Sequence, residues 1–144
     1  MPSFRPLQVR DCQGTLWAFL RKYEGQARIS FEGDLQGLHL DELPSASFEE
    51  TPALRRQTIS PRLDFVVVSA SRENINSLKT CLSKAGVLGR NGTVIHTQIE
   101  VGGELIFLAC DNFHDDCTAA SPSVTESFLA ELKSSGALRN YGDA

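Results

Sequence analysis

The stretch LDFVVVSA, residues 63–70, decides the fold class because it is the strongest strand signal in the chain. It is apolar on both faces, so we expect it to lie centrally in a sheet. A helix is predicted to follow at once, with Ser71 as its N-cap and Gly86 as its stop. Between these two residues, helical spacing is kept by Ile75, Leu78, Leu82 and Ala85.

Two more strands and a helix are predicted downstream. Residues 93–101 alternate, with Ile95, Thr97, Ile99 and Val101 on one face and Val94, His96, Gln98 and Glu100 on the other. Gly102-Gly103 predicts a tight hairpin into a strand over residues 104–110. Ser123-Val124-Thr125-Glu126 predicts a capping box that starts a helix, and Gly136 ends it. The resulting order of strand, helix, strand, strand, helix is most of a split β-α-β unit.

The first 62 residues carry weaker signals. Residues 14–24 predict a short amphipathic helix that ends at Gly25. Residues 26–40 predict a weak hairpin of two strands, ARISFE and LQGLHL. Residues 41–61 predict a long acidic connection with at most one helical turn over residues 48–56.

Together these patterns predict an α+β fold, a mostly antiparallel sheet with two to three helices packed on it. We expect residues 1–144 to form a single domain. Its first part, 1–62, would hold the helix, the weak hairpin and the acidic connection. Its second part, 63–144, would hold the strand-helix-strand-strand-helix core.

The composition limits the classes of function. The chain has 144 residues, 41% hydrophobic, and its longest strongly apolar run is far too short for a membrane span. The N-terminus lacks the apolar segment of a signal peptide, so the prediction is a cytoplasmic protein that does not bind membranes. A net charge of −4 argues against a general nucleic-acid binder, which needs a basic surface. The four cysteines contain no C-x-x-C pair and are predicted to be reduced thiols, although one Cys110–Cys117 bridge stays possible.

The charge is unevenly distributed. Residues 29–54 contain six acids and no Lys or Arg. This segment is either a solvated loop or a negative surface that steers a basic partner. A second acidic loop covers residues 111–116. The residues predicted to contact a partner are Asp41, Glu42, Phe48, Glu49, Glu50, Asp115 and Asp116.

The stretch CDNFHDDC, residues 110–117, is the densest group of reactive side chains. Cys110, His114 and Cys117 are three potential zinc ligands, with Asp111, Asp115 or Asp116, or the distant His39 or His96, as a fourth. The same residues could also form a thiol nucleophile with a base, but the nearby carboxylates oppose a thiolate. The third alternative is a polar loop after a buried strand, in which Phe113 folds back onto the core and Asp111 and Asn112 bond the local backbone.

Two functions of different classes follow. The first is a non-catalytic protein-binding domain without a cofactor, most concretely an immunity-type inhibitor. This is a small domain of the bacterial type that binds a basic protein, such as a toxin or nuclease, through acidic loops. The alternative is a small metal-dependent or thiol enzyme centred on Cys110, His114 and Cys117. The chain has no phosphate-binding, dinucleotide-binding, GxSxG or HExxH motif, which favours the first function. Oligomeric state is left open.

Overall fold

The structure is a computed structural model that describes residues 3–143. Over that range the chain forms seven strands and three α-helices. In chain order these are β1 (Arg5–Val9), α1 (Cys12–Lys22), β2 (Ala27–Gly33), β3 (Asp64–Ser69), α2 (Arg72–Leu82), β4 (Val94–Val101), β5 (Glu104–Ala109), β6 (Thr118–Ala120), α3 (Glu126–Ser134) and β7 (Leu138–Tyr141). Two 3₁₀ helices cover Leu40–Glu42 and Asp115–Cys117. None of the helices within residues 3–143 has the length and apolar character that crossing a membrane requires.

The strands form one sheet in the order β3-β2-β4-β5-β6-β1-β7, and every pairing is antiparallel. The predicted α+β class, with helices packed on a mostly antiparallel sheet, is therefore confirmed. Strands β1 and β2 come from the first 62 residues and pair with strands from the rest of the chain. The sheet thus contains more strands than the predicted strand-helix-strand-strand-helix order, which suggested a split β-α-β unit.

The three helices pack on one face of the sheet. Phe19 of α1 lies at the centre of this core, with its ring centroid 4.7 Å from that of Phe107 in β5 and 5.1 Å from that of Phe128 in α3. In β2 and β3 alternate residues face these helices, as period two requires. This face includes Ile29, Phe31, Val66, Val68, Ile99, Phe107 and Ala109 from the strands, all buried in the main cluster.

Side-chain caps fix the helix starts. Asp11 and Ser71 accept bonds from the N–H groups of Gly14 and Asn74, and the prediction for Ser71 is confirmed. The predicted capping box at Ser123 is wrong, because Thr125 is the N-cap and accepts a bond from the Phe128 N–H. Ser123 instead donates its hydroxyl to Glu104, in the turn before the helix.

The prediction that residues 63–70 form a central strand is also wrong, since β3 is an edge strand. Its outer edge makes a single bridge, in which Val67 exchanges backbone bonds of 2.7 and 2.9 Å with Ser47. Residues Phe65–Val68 are nevertheless buried, because one face meets the helices and the other is covered by a loop. An edge strand covered on both faces has the same apolar sequence pattern as a central one.

The first part of the chain departs furthest from prediction. Residues 35–40 form no strand: they make turns that lead into the 3₁₀ helix at Leu40–Glu42, and Leu38 and Leu40 are buried in the core. Strand β2 pairs instead with β3 on one side and with β4 on the other. Residues 48–56 contain no helical turn, and the short strands β1, β6 and β7 were not predicted.

The loop that covers the second face is the part of the connection over residues 50–58, hereafter the strap. Leu54 of the strap is fully buried against Phe65, Val67 and Leu105 in a small second apolar cluster. The strap thus turns the outer face of β3, β2 and β4 into an interior, and this has direct consequences for the polar residues on that face.

Candidate partner-binding surface

A cleft with a volume of about 680 Å³ lies beside the edge strand β3. Asp41, Glu42 and Phe48 line it, so three of the predicted contact residues belong to one concave surface. Phe48 is 63% exposed, which is unusual for a large aromatic side chain. Arg56 and Arg62 also line it, so the cleft contains both acidic and basic side chains.

Contacts with the chain hold Arg56, one of the two arginines, in place. The Arg56 guanidinium lies 4.9 Å from the centroid of the Phe65 ring and donates a 2.7 Å bond to the carbonyl of Leu63. Of the two acids, Glu42 is hydrogen-bonded to His39, while Asp41 is exposed. A ligand in the cleft would therefore meet the carboxylates of the 3₁₀ helix and the ring of Phe48 more readily than the guanidinium of Arg56.

The outer edge of β3 is open toward this cleft. The bridge with Ser47 shows that the peptide groups of Val67 point outward, and in an antiparallel strand those of Phe65, two residues away, point the same way. Phe65 lines the cleft. After Ser47 the chain leaves β3, because the N–H of Glu49 binds the Ser47 hydroxyl at 3.1 Å. The cleft therefore combines apolar, acidic and backbone groups.

Glu49 and Glu50 differ in their surroundings although both are exposed. The Glu50 carboxylate accepts a 2.8 Å bond from the Arg56 N–H and lies 3.3 Å from the Arg55 guanidinium. Glu50 therefore holds the strap. This leaves Glu49 as the more available charge.

Asp115 and Asp116 lie in the 3₁₀ helix next to β1, and four strands separate β1 from β3 in the sheet. Asp115 pairs with Arg139 at 2.7 Å, whereas the side chain of Asp116 is 92% exposed. The two acidic loops thus form no continuous surface, and the second loop is partly neutralised.

The stretch CDNFHDDC closes the end of the β5–β6 hairpin. Asp111, Asn112 and Phe113 all have positive φ, at 49°, 59° and 63°, a conformation that L residues rarely adopt in succession. The Asn112 side chain donates bonds of 2.9 and 3.0 Å to the carbonyls of Gly92 and Val94. Phe113 is buried against Phe107, with 6.2 Å between the ring centroids, as the interpretation of a polar loop after a strand predicted.

The thiols of this loop are poorly suited to nucleophilic chemistry. Burial, with smaller contributions from the neighbouring Cys117 and Asp111, raises the pKa of Cys110 to about 12. Burial followed by Asp111 also raises the pKa of Cys117. At neutral pH both side chains are therefore mainly protonated, and a protonated thiol is a poor nucleophile.

His114 does not act as a base for either thiol in this arrangement. Its Nδ1 accepts a 3.1 Å bond from the N–H of Asp116 and caps the 3₁₀ helix. Over the part of the chain that the structure describes, no three His, Cys, Asp or Glu side chains lie close enough together to hold a metal ion. The enzyme alternative thus gains no support from the geometry of Cys110, His114 and Cys117.

A buried polar cluster under the strap was not predicted. Glu32, His96 and Glu100 are 2%, 6% and 1% exposed and project from the outer face of β2 and β4, where Glu32 lies directly opposite His96. The alternation of residues 94–101 did predict that His96 and Glu100 share a face. What sequence patterns alone do not reveal is the cover, because a loop without periodicity gives no sign of where it packs.

This cluster attaches the strap to the sheet. The Glu32 carboxylate accepts bonds of 2.7 and 3.2 Å from the N–H groups of Gln57 and Thr58. Glu100 accepts a 3.0 Å bond from the Thr51 hydroxyl and lies 2.5 Å from Arg28. Burying such carboxylates is favourable only when they are bonded in this way.

His96 connects the strap to the loop of residues 110–117. Its Nδ1 accepts a 3.2 Å bond from the Asp111 N–H, so in the neutral ring the proton is on Nε2. Nε2 lies 2.7 Å from the Thr58 hydroxyl, to which it donates. Each member of the cluster has a structural partner, which favours an anchoring role over an acid–base role.

Comparison of the chain with protein-family models, with curated proteins and with solved structures finds no match. Function has therefore to be argued from the described geometry.

Proposed function

We propose that this chain is a non-catalytic protein-binding domain whose binding surface is the cleft beside β3. The observation that carries the proposal is the placement of exposed Phe48 beside Asp41 and Glu42 on the wall of a cleft of about 680 Å³. Aromatic anchors surrounded by polar groups are typical of binding hot spots. The candidate catalytic groups at Cys110 and Cys117 are instead protonated, which supports a role without chemistry.

The partner that best complements this surface is a basic protein. A Lys or Arg side chain of the partner would meet Asp41 and Glu42, while an apolar side chain would contact Phe48. Glu49, the next residue in the chain after Phe48, is exposed and adds a third carboxylate close to this anchor. An extended segment of the partner could also bond the outward peptide groups of β3 near Phe65.

An immunity-type inhibitor of a basic toxin or nuclease is the most concrete form of this proposal. The net charge of −4 supports it, because opposite charge accelerates association and suppresses wrong partners. In that form the domain would cover a basic catalytic surface and exclude its substrate. Asp115 and Asp116 lie outside this surface, since four strands separate them from it.

The experiment is affinity capture from host lysate with four immobilised forms of the full chain. These are wild type, Asp41→Lys with Glu42→Lys, Phe48→Ser, and a matched control with Asp116→Lys and Glu131→Lys. The control makes the same change of charge at two exposed acids away from the cleft. Circular dichroism and thermal melting would establish that each form is folded.

The expected result is that wild type and the control both capture a stoichiometric basic partner. The form with Asp41→Lys and Glu42→Lys should lose this partner, and Phe48→Ser should bind it at least tenfold more weakly. The purified partner should then lose its activity when wild type is added, if the inhibitor form is correct. Equal capture by all four forms, or loss with the control alone, would refute the proposed surface.

A further inference from the structure

Cys110 and Cys117 lie opposite each other at the open end of the β5–β6 ladder. The register pairs Phe107 with Ala120, Leu108 with Ala119 and Ala109 with Thr118, so the next pair is Cys110 with Cys117. The ladder does continue this far, since the Cys110 N–H donates a 3.1 Å bond to the Cys117 carbonyl.

This placement satisfies the backbone requirement of a disulfide. Opposite residues in an antiparallel pair have Cα atoms about 4.5–5.5 Å apart and side chains on the same face. Disulfides span Cα separations of about 4.4–6.8 Å. The Cys117 thiol already points across the ladder, because its Sγ lies 3.2 Å from the carbonyl oxygen of Cys110.

We propose that Cys110 and Cys117 form a reversible disulfide that closes the loop of residues 111–116 under oxidising conditions. Both cysteines are half-buried rather than enclosed, so a small disulfide reagent can reach them. The proposal concerns a modification site and does not depend on the proposed partner surface.

The reduced pair is stabilised by its own partners, which makes the oxidation slow. The Cys117 thiol donates to the Cys110 carbonyl and lies 3.8 Å from the Asp111 carboxylate, and the Cys110 Sγ lies 3.9 Å from the side-chain oxygen of Gln57 in the strap. Because the pKa of Cys110 is raised to about 12, the first thiolate forms at Cys117.

The chemistry is thiol–disulfide exchange with oxidised glutathione as the oxidant. The Cys117 thiolate attacks one glutathione sulfur, a mixed disulfide forms, and one glutathione thiolate leaves. Cys110 then loses its proton to solvent and attacks the Cys117 sulfur, which releases the second glutathione thiolate. Two protein thiols are oxidised, one glutathione disulfide is reduced, and the two protons end on the two glutathione molecules.

The bridge would constrain a loop that contains three successive residues with positive φ, namely Asp111, Asn112 and Phe113. The bridge would also break the contact between the Cys110 thiol and the Gln57 side chain. The contacts of the strap would therefore change with the redox state. The chain-entropy account of a bridge across this short loop predicts a rise in melting temperature of about 8 °C.

The test is to incubate the full-length folded chain for one day at pH 8.5 with oxidised glutathione, quench it with acid, and alkylate the remaining thiols. Trypsin releases residues 91–133 as one peptide, because no Lys or Arg lies between Arg90 and Lys133, and this peptide contains Cys110 and Cys117 as its only cysteines. The expected peptide is 2 Da lighter than the reduced form and carries no alkyl group. Treatment with dithiothreitol should restore two alkylation sites.

Variants distinguish a specific bridge from general oxidation. Cys110→Ser should leave a single glutathione adduct on Cys117, whereas Cys117→Ser should leave Cys110 largely unmodified because the attacking thiolate is lost. Cys12→Ser should form the bridge as wild type does. Two alkyl groups or two glutathione adducts on the wild-type peptide, or a link from Cys110 or Cys117 to Cys12 or Cys81, would overturn the proposal. Near-native circular dichroism of each variant before oxidation would exclude misfolding as the cause.

Discussion

Glu32→Gln is predicted to loosen the strap while leaving the sheet intact. Glu32 is 2% exposed, and its two carboxylate oxygens accept bonds of 2.7 Å from the Gln57 N–H and 3.2 Å from the Thr58 N–H. The glutamine side chain has nearly the same shape, but one oxygen becomes an amino group that faces an N–H donor. One bond is lost and the other is no longer assisted by charge.

The magnitude follows from these two bonds. A hydrogen bond to a charged group contributes about 1.5–3 kcal/mol, compared with about 1 kcal/mol for a neutral one. Losing one bond and weakening the other gives an expected cost of about 2–5 kcal/mol in the stability of the strap. The global free energy of unfolding should fall by less than this, because the strap can open locally and hydrate its freed N–H groups before the sheet unfolds.

The assay is native-state hydrogen exchange together with urea denaturation. Protection of the Gln57 and Thr58 amides should fall at least tenfold in Glu32→Gln, whereas protection in β2 and β4 should change little. Glu49→Gln is the matched control, since Glu49 is exposed on the same connection and should shift stability by no more than about 0.5 kcal/mol. Unchanged protection at Gln57 and Thr58, with unfolding equal to that of the control, would refute the anchoring role of Glu32.

Three further predictions test neighbouring parts of the structure. Leu54→Ala should lower the free energy of unfolding by about 2–3 kcal/mol in urea melts, because Leu54 is fully buried in the small cluster under the strap, and a loss below about 1 kcal/mol would contradict that packing. Asn112→Ala should lower the free energy of unfolding by about 2–3 kcal/mol, because two hydrogen bonds are lost and alanine does not favour the positive φ. Asn112→Gly, which tolerates that φ, should cost measurably less. Equal losses would argue against strain at this position. Alkylation of Cys110 by iodoacetamide should be much slower at pH 8 than alkylation of an unfolded control peptide. Its rate should rise steeply only as pH approaches the raised pKa of about 12. Ready alkylation at pH 8 would show that burial does not protect this thiol.

The sequence predicted best those elements whose signals are local. The β4–β5 hairpin has strict alternation on one side and Gly102-Gly103 at the turn, where both φ values are positive, at 59° and 83°. Helix α2 has an N-cap and a regular apolar stripe. Strands β6 and β7 have three and four residues, too few for a period to be recognised. Each depends on tertiary pairing, β6 with β1 and β5, and β7 with β1.

The candidate site could be predicted only in part, because its members depend on tertiary contacts. Asp41, Glu42 and Phe48 were found from composition and from the position of an aromatic residue in a polar segment. That they share a cleft follows from the 3₁₀ helix at Leu40–Glu42, which contacts β3, and from the Ser47–Val67 bridge, which no local pattern indicates. Because no local pattern shows where the strap packs, Glu32 was also counted among the charges of the acidic segment, although it is buried.

The internal use of acids changes what the acidic segment implies about a partner. Of the six acids in residues 29–54, Glu32 and Glu50 hold the strap, and Asp34 accepts a 3.2 Å bond from the Gln36 N–H. Glu42 has His39 beside it, so Asp41 and Glu49 are the carboxylates left most available. The proposed interface has so few free charges that it cannot depend on charge alone. Most of its affinity would come from Phe48 and the apolar lining of the cleft. Binding of a true partner should therefore weaken only modestly between low and moderate salt, whereas capture that disappears at moderate salt would indicate general attraction to net charge.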